Sequence, residues 1–213
     1  MNEAIAVVLL LVAGYVVGSF PSSVVYGRVF RGVDVRSTGS GKTGATNVLR
    51  TLGWKFAVAV GITDILKGLL PVLVARLLLG TPLAEVAAGL GAVAGHNWSL
   101  FLGFEGGRGV ATSVGAFVLL APLATVIAIA AFLATIALTR YVSLGSIVAA
   151  ITALLALVLF GLLGAGYPGE YYVFTFAAAA LLIVRHGDNI SRLRAGTERK
   201  FGERVQQARP AAR

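Results

Sequence analysis

The chain has 213 residues and no cysteine, which excludes disulfides and thiolate chemistry. Charged residues make up 13% and hydrophobic ones 57%, against about 25% charged in soluble domains, so the composition is that of a membrane protein. The net charge of +9 would suggest nucleic acid in a soluble protein, but the cations cluster beside apolar runs and report orientation instead.

An apolar run begins at Ala4, preceded by Glu3, with no Lys or Arg before Arg28. It lacks the basic start of a secretory signal and reads as a retained helix, Ala4 to Phe20, ending in Gly18-Ser19-Phe20-Pro21. The segment Gly27 to Lys55 follows, with six Lys or Arg against one Asp. Within it lies Gly39-Ser40-Gly41-Lys42-Thr43-Gly44-Ala45-Thr46-Asn47-Val48-Leu49-Arg50, polar and glycine-dense in an oily chain. Glycines let a backbone approach an anion, and successive N–H groups can form a nest for phosphate oxygens. Lys42 and Arg50 supply charge there, while Ser40, Thr46 and Asn47 supply orienting hydrogen bonds. Composition alone also allows a plain flexible loop. A nucleotide-binding loop is excluded, because Arg36 stands where Gly41-Lys42-Thr43 would need its first glycine.

Phe56 to Leu79 is a second span, interrupted by Asp64 and Lys67 at helical i,i+3 spacing. Lone charges in such a span are costly, so an ion pair tying it to the bundle is expected ahead of substrate contact. Leu83 to Gly95 is a short third span closed by His96-Asn97-Trp98. A second cationic turn, Gly106-Gly107-Arg108-Gly109, precedes a helix start with Thr112 and Ser113. Helix N–H groups and Arg108 suit an anion there, although a glycine turn with an ordinary cytoplasmic arginine reads equally well.

Val110 to Thr139 is apolar throughout, and as one helix its thirty residues would reach about 45 Å, against a hydrocarbon core of about 30 Å. It either tilts strongly or turns at Ala121-Pro122. Charge decides between them, since cytoplasmic loops collect Lys and Arg. With the turn, the Gly27–Lys55 segment, Arg108, Arg140 and the basic tail share one side, and Glu3, Glu85 and Glu170 the other. Ile147 to Leu163 and Tyr171 to Val184 complete the spans. The expectation is therefore one all-α membrane domain over residues 1–213, a bundle of seven transmembrane helices. Its N-terminus would lie outside and its basic tail, about 185–213, in the cytoplasm. The short Val110–Ala121 span has to begin within a buried or re-entrant loop.

This topology brings the Ser40 loop, the Gly107-Arg108 turn, the Ser143/Ser146 break and the His186 segment to one end of the bundle. Such a site suits a charged head at the interface with an apolar tail between helices. His186 and Asn189 share a face if their helix continues, and either can hydrogen-bond a phosphate or a hydroxyl; a structural histidine is the alternative. Two histidines, His96 and His186, are too few for a histidine-rich metal site.

In order along the chain, the motifs are Gly18-Ser19-Phe20-Pro21, Gly39-Ser40-Gly41 through Arg50, Asp64-Ile65-Leu66-Lys67-Gly68, Gly106-Gly107-Arg108-Gly109-Val110-Ala111-Thr112, Arg140-Tyr141-Val142-Ser143-Leu144-Gly145-Ser146, His186 with Asn189-Ile190, then Arg194 and Gly196-Thr197-Glu198. The ordered set resembles the bacterial acyl-phosphate:glycerol-3-phosphate acyltransferases, from Gly18 to about Lys200. The resemblance implies a multi-pass enzyme of the bacterial cytoplasmic membrane with its active site toward the cytoplasm. It would move a fatty acyl group from acyl phosphate to the 1-hydroxyl of glycerol 3-phosphate, giving lysophosphatidic acid and inorganic phosphate in an early step of phospholipid synthesis. No cofactor, metal or nucleic acid is implied, and there is room for a soluble enzyme that supplies acyl phosphate. Ser40, Arg50, Arg108, Ser146, His186 and Asn189 match family positions at the phosphate site. To these, the residues' own chemistry adds Gly41, Thr46, Asn47, Gly107 and Thr112. His186 and Asn189 would orient or polarise, with no covalent nucleophile. Lys42 stands where the family usually has asparagine, and Arg108 where it has lysine. A carrier for a small anion would normally show repeat symmetry or a polar path through the bilayer, and the sequence has neither.

Overall fold

A computed structural model describes residues 2–203; the end of the basic tail, 204–213, lies outside the described residues. The described chain is helical: α1 (Glu3–Gly18), α2 (Ser22–Arg31), α3 (Ala45–Thr51), α4 (Trp54–Leu78), α5 (Pro82–Asn97), α6 (Val110–Leu120), α7 (Pro122–Thr139), α8 (Val142–Leu162), α9 (Gly169–Arg185) and α10 (Gly187–Arg194). Single 3-10 turns lie at Val35–Ser37 and Leu100–Leu102. The protein is an integral, multi-pass membrane bundle. Four helical segments are long and apolar enough to cross a bilayer: Glu3–Arg31, α4, α7 and α8. A fifth is reached if α9 and α10, bent by 57° at His186, count as one. Length and composition alone therefore do not reach seven spans. The shortfall lies in α5 and α6, whose 16 and 11 residues give about 24 and 16 Å of helix.

The apolar stretch from Val110 divides at Ala121-Pro122, as the charge argument requires. Ala121 is extended (φ −146°) and Pro122 opens α7, where its missing N–H leaves no helical bond unmade. Packing depends on small residues, as expected where no water drives helices together. Gly14 and Gly18 of α1 face the backbone of Ala88 and Ala92, and Gly91 and Gly95 of α5 face Leu11 and Tyr15. A Cβ at any of these four would collide with a carbonyl oxygen of the facing helix.

Charge inside the bundle is paired. Asp64 accepts from Ser22 Oγ at 2.7 Å and lies 3.0 Å from Lys67 Nζ, which also donates to the Phe20 carbonyl at 3.0 Å. This pair ties α4 to the junction of α1 and α2, the role expected of it. At the other end, Arg76 holds Glu85 through two bonds of 2.9 and 2.7 Å, and Tyr171 donates to the same carboxylate at 2.8 Å. Glu85 is 3% exposed. It is thus a buried partner of Arg76.

Candidate active site

The Ser40 loop is shaped from within by Asn47. Its Nδ2 donates to the carbonyls of Val35 (2.8 Å), Lys42 (3.1 Å) and Thr38 (3.2 Å), and its Oδ1 accepts from the Ser40 N–H at 2.9 Å. A Cβ at Gly39, which has φ +65°, would collide with that Oδ1. Asn47 borders the site, yet its amide is engaged by its own loop, so it organises the loop where substrate contact was expected.

The loop opens onto a cavity of about 440 Å³. Its polar lining includes Ser40, Lys42, Thr46, Arg50 and Arg108, half-buried toward the mouth, and the buried Ser146, His186 and Asn189. Four segments far apart in sequence converge there, as the polar-segment argument anticipated. Further in, the walls are apolar side chains of α6, α7, α8 and α9, among them Val114, Phe117, Ala128, Ala153 and Phe174. Three expected residues stay outside. Gly41 does not line the cavity. Gly107 is wedged between His96 and Thr43, where a Cβ would collide with both. Thr112 is fully buried with its Oγ1 unpartnered, and its carbonyl packs on Gly68. Its neighbour Ser113 reaches the cavity instead, with an Oγ that is also unpartnered. One step along a helix turns a side chain by about 100°, and the sequence cannot choose between adjacent hydroxyls.

Arg50 and Arg108 give the mouth its charge. Burial, with the Arg199 charge next, lowers the Arg50 guanidinium from its usual range, and Arg108 adds to that. Burial likewise lowers Arg108, while Asp188 acts against it. Two desolvated cations disfavouring each other make an anion site, since an arriving phosphate relieves both. Arg108 Nη2 pairs with Asp188 at 3.0 Å, and its Nε donates to the Arg185 carbonyl at 3.3 Å. Burial raises the Asp188 carboxyl, but Arg108 and Arg192 more than offset this and hold it below the usual range.

His186 caps α9, and the bend there replaces the continuous helix that the i,i+3 reading assumed. Both His186 and Asn189 still border the cavity. His186 Nδ1 lies 2.8 Å from the Leu182 carbonyl. A carbonyl only accepts, so Nδ1 carries the proton and Nε2 is left as an acceptor. Burial pushes the imidazole down to about 4, so it is neutral near pH 7. Asn189 Nδ2 donates to Glu198 Oε1 at 2.8 Å, and its buried Oδ1 has no partner. Both side chains therefore offer an acceptor suited to a substrate hydroxyl.

Two structural members of the site were missed. Glu198, 8% exposed, accepts from Ser143 (2.9 Å), Asn189 (2.8 Å) and Arg192 (2.7 Å). It closes the mouth from the tail; its signal was the Gly196-Thr197-Glu198 motif. Arg185 binds the carbonyls of Asn97 and Gly107 and stacks over Trp98, fixing the turn that carries Arg108. Its separation of 78 residues from Gly107 left no local signal.

The comparisons agree with this geometry. The family described as glycerol-3-phosphate acyltransferase matches residues 8–196. Glycerol-3-phosphate acyltransferase 2 of Moorella thermoacetica is 50% identical over 196 residues, covering 92% of this chain and 98% of the relative. The glycerol-3-phosphate acyltransferase of Geobacter sulfurreducens is 46% identical, covering 94% and 98%. Two crystal structures of PlsY, an integral membrane glycerol 3-phosphate acyltransferase, superpose well. Its glycerol 3-phosphate form has a TM-score of 0.85 at 39% identity, covering 92% of this chain and 96% of that one. Its lysophosphatidic acid form has a TM-score of 0.83 at 38% identity, covering 92% and 95%.

Proposed function

Because the chain belongs to the glycerol-3-phosphate acyltransferase family, we propose that it transfers a fatty acyl group from acyl phosphate to the 1-hydroxyl of glycerol 3-phosphate. The products are lysophosphatidic acid and inorganic phosphate. The observation that carries this reading is the single cavity with a cationic mouth and an apolar interior. It fits an anionic head joined to an alkyl chain, and a second small anion beside it. The PlsY structures in glycerol 3-phosphate and lysophosphatidic acid forms support the same acceptor and product here.

An acyl phosphate is a mixed anhydride, already activated, so no side-chain nucleophile, metal or cofactor is called for. The hydroxyl oxygen attacks the acyl carbon, the bond from that carbon to the phosphate oxygen breaks, and the leaving phosphate takes the hydroxyl proton. The protein's task is to hold two phosphates together against their repulsion. Arg50, Arg108 and Lys42 offset that charge, with Ser40, Thr46 and Ser146 positioning the heads. His186 Nε2 and Asn189 Oδ1 orient the attacking hydroxyl. Asn47, Gly41, Gly107 and Thr112 serve by shaping the loops and helices around them.

The orientation follows from charge. α1 and α4 to α9 form seven spans, with the α1 start outside and α10 in the cytoplasm of a bacterial cell, so the mouth faces the cytoplasm. A soluble enzyme making acyl phosphate could then deliver it to that face. Cysteines placed at Glu3 and Ala195 should label from opposite sides. For the reaction, purified protein is given acyl phosphate with and without glycerol 3-phosphate, and free phosphate is followed. Release that depends on glycerol 3-phosphate is expected; release indifferent to it, or none, would overturn the reading.

A further inference from the structure

The apolar part of the cavity has a floor. Along α8 the cavity lining runs from Val142 to Ala153, about 16 Å at 1.5 Å per residue. Phe117 of α6, Ala153 of α8 and Phe174 of α9 line it, whereas Leu120, Leu157 and Tyr171, the next residues outward on those faces, are buried and do not. The Phe117 and Phe174 rings stack across the floor, centroids 6.3 Å apart and 14° from parallel.

The floor is backed by fixed groups. A Cβ on Gly89 of α5 would lie 3.0 Å from Phe174 Cε2, so the ring already rests on that helix and has nowhere to retreat. One turn outward, Tyr171 is bonded to Glu85, and Glu85 to Arg76, whose Nη2 also reaches the Leu119 carbonyl at 2.9 Å. That polar cluster clamps α4, α5, α6 and α9 directly behind the two rings. The walls above are chemically apolar despite two threonines. Thr125 and Thr175 donate to carbonyls of their own helices at 2.9 and 2.7 Å and leave only methyl groups for an occupant.

We infer that the stacked Phe117–Phe174 pair, with Ala153 opposite, measures the acyl chain and sets the longest donor the enzyme uses efficiently. This rests on the acyl-phosphate reading above. A blind apolar end rejects an extra methylene by collision, and a missing one leaves a void, each a discrimination of roughly tenfold or more. Ala128 and Ala153 keep the cavity open near the floor, so bulk added there shortens the ruler and bulk removed at Phe174 lengthens it. The flank is the rival route: Ile129 and Leu133 line the cavity while 38% and 58% exposed, so a chain could leave sideways into the bilayer.

The test uses purified full-length protein, excess glycerol 3-phosphate and saturated acyl phosphates of graded length, reading kcat/KM for each. In Ala153→Leu the short-to-long ratio should rise about tenfold or more. In Phe174→Leu, which keeps an apolar side chain, it should shift toward longer donors. Leu155→Phe, on the lipid-facing side at 62% exposure, should keep the parent profile. If Ala153→Leu does not fold, Ala128→Val supplies the same shortening. An unchanged profile, or an equal loss at every length, overturns the ruler and favours the sideways exit. A parent that releases phosphate from no acyl phosphate overturns the acyl-phosphate reading itself, and the ruler with it.

Discussion

Asp188 holds Arg108 by an Nη2–Oδ2 ion pair of 3.0 Å at the mouth of the cavity, where a substrate phosphate would take the same guanidinium. The carboxylate is 42% exposed, so the pair is worth about 1 kcal/mol or less. It is strong enough to orient Arg108 and weak enough to be displaced. Arg192 takes up Asp188 at 3.3 Å from the adjoining turn, which gives the carboxylate a second partner once the phosphate arrives. Asp188→Asn should lower KM for glycerol 3-phosphate by a few-fold, about what 1 kcal/mol allows, with kcat little changed. Steady-state kinetics checks this, and a raised KM would show that Asp188 aligns Arg108 more than it competes for it.

Arg50 and Arg108 come from helices and turns that share no local sequence, and only the fold makes them neighbours across the mouth. Each charge-assisted bond to phosphate contributes about 1.5–3 kcal/mol. Arg50→Ala and Arg108→Ala should therefore each cost on the order of 10²-fold in kcat/KM while the protein stays folded. Arg108→Lys should retain much of the activity, since lysine keeps the charge but gives up the fork geometry. Full activity in both alanine variants would remove these residues from the site.

Acid should loosen the His186 end of the bundle in a defined order. His186 is lowered to about 4 by burial, from about 6.5 when unfolded. Its folded form binds fewer protons in that interval, so stability is complete above about pH 6.5 and falls as pH drops toward 4. Burial raises Glu198, but its bonds from Asn189, Arg192 and Ser143 hold it below its usual range. Its contribution is present above about pH 4.3, the unfolded value, and is lost on further acidification through the folded one. Unfolding temperature measured across this range should decline in that sequence. In Glu198→Gln the lower step should shrink, because Glu198 no longer titrates while Asp188, held down by Arg108 and Arg192, still does.

What the sequence revealed and what it hid divide along physical lines. The Ala121-Pro122 turn was legible because proline and charge segregation are local or additive signals. Convergence of the polar segments followed from the same charge rule. Asp64 and Lys67 were legible as a pair because one helical turn joins them; their further partners, Ser22 Oγ and the Phe20 carbonyl, were not. Asn47 looked like a ligand for phosphate because its residue type suits one, yet the loop's own carbonyls use its amide. Arg185 and the Arg76–Glu85–Tyr171 cluster depend on contacts between distant helices, and Glu198, beyond α10, on Ser143, 55 residues away, beside its near neighbours Asn189 and Arg192. No periodicity or motif encodes which of several polar side chains will meet across a bundle.

His186 tests the chemistry of the transfer. Its Nδ1–H is held by the Leu182 carbonyl, so only Nε2 can act on a substrate. With the ring lowered to about 4, Nε2 is a poor proton acceptor compared with a base poised near neutrality. A general base of this kind would impose a rate limb near pH 4, whereas a positioning group would impose none of its own. Asp188 gives the ring no supporting hydrogen bond, since its oxygens are taken by Arg108 and Arg192. The leaving phosphate is the stronger candidate for the proton. His186→Asn and His186→Gln, which still hydrogen-bond but do not titrate, should therefore keep measurable turnover, with the parent's pH dependence essentially preserved. The check is the pH–rate profile of both variants beside the parent. A loss of about 10²–10⁴, accompanied by disappearance of a limb that the parent shows, would restore histidine as the base and remove phosphate from that role.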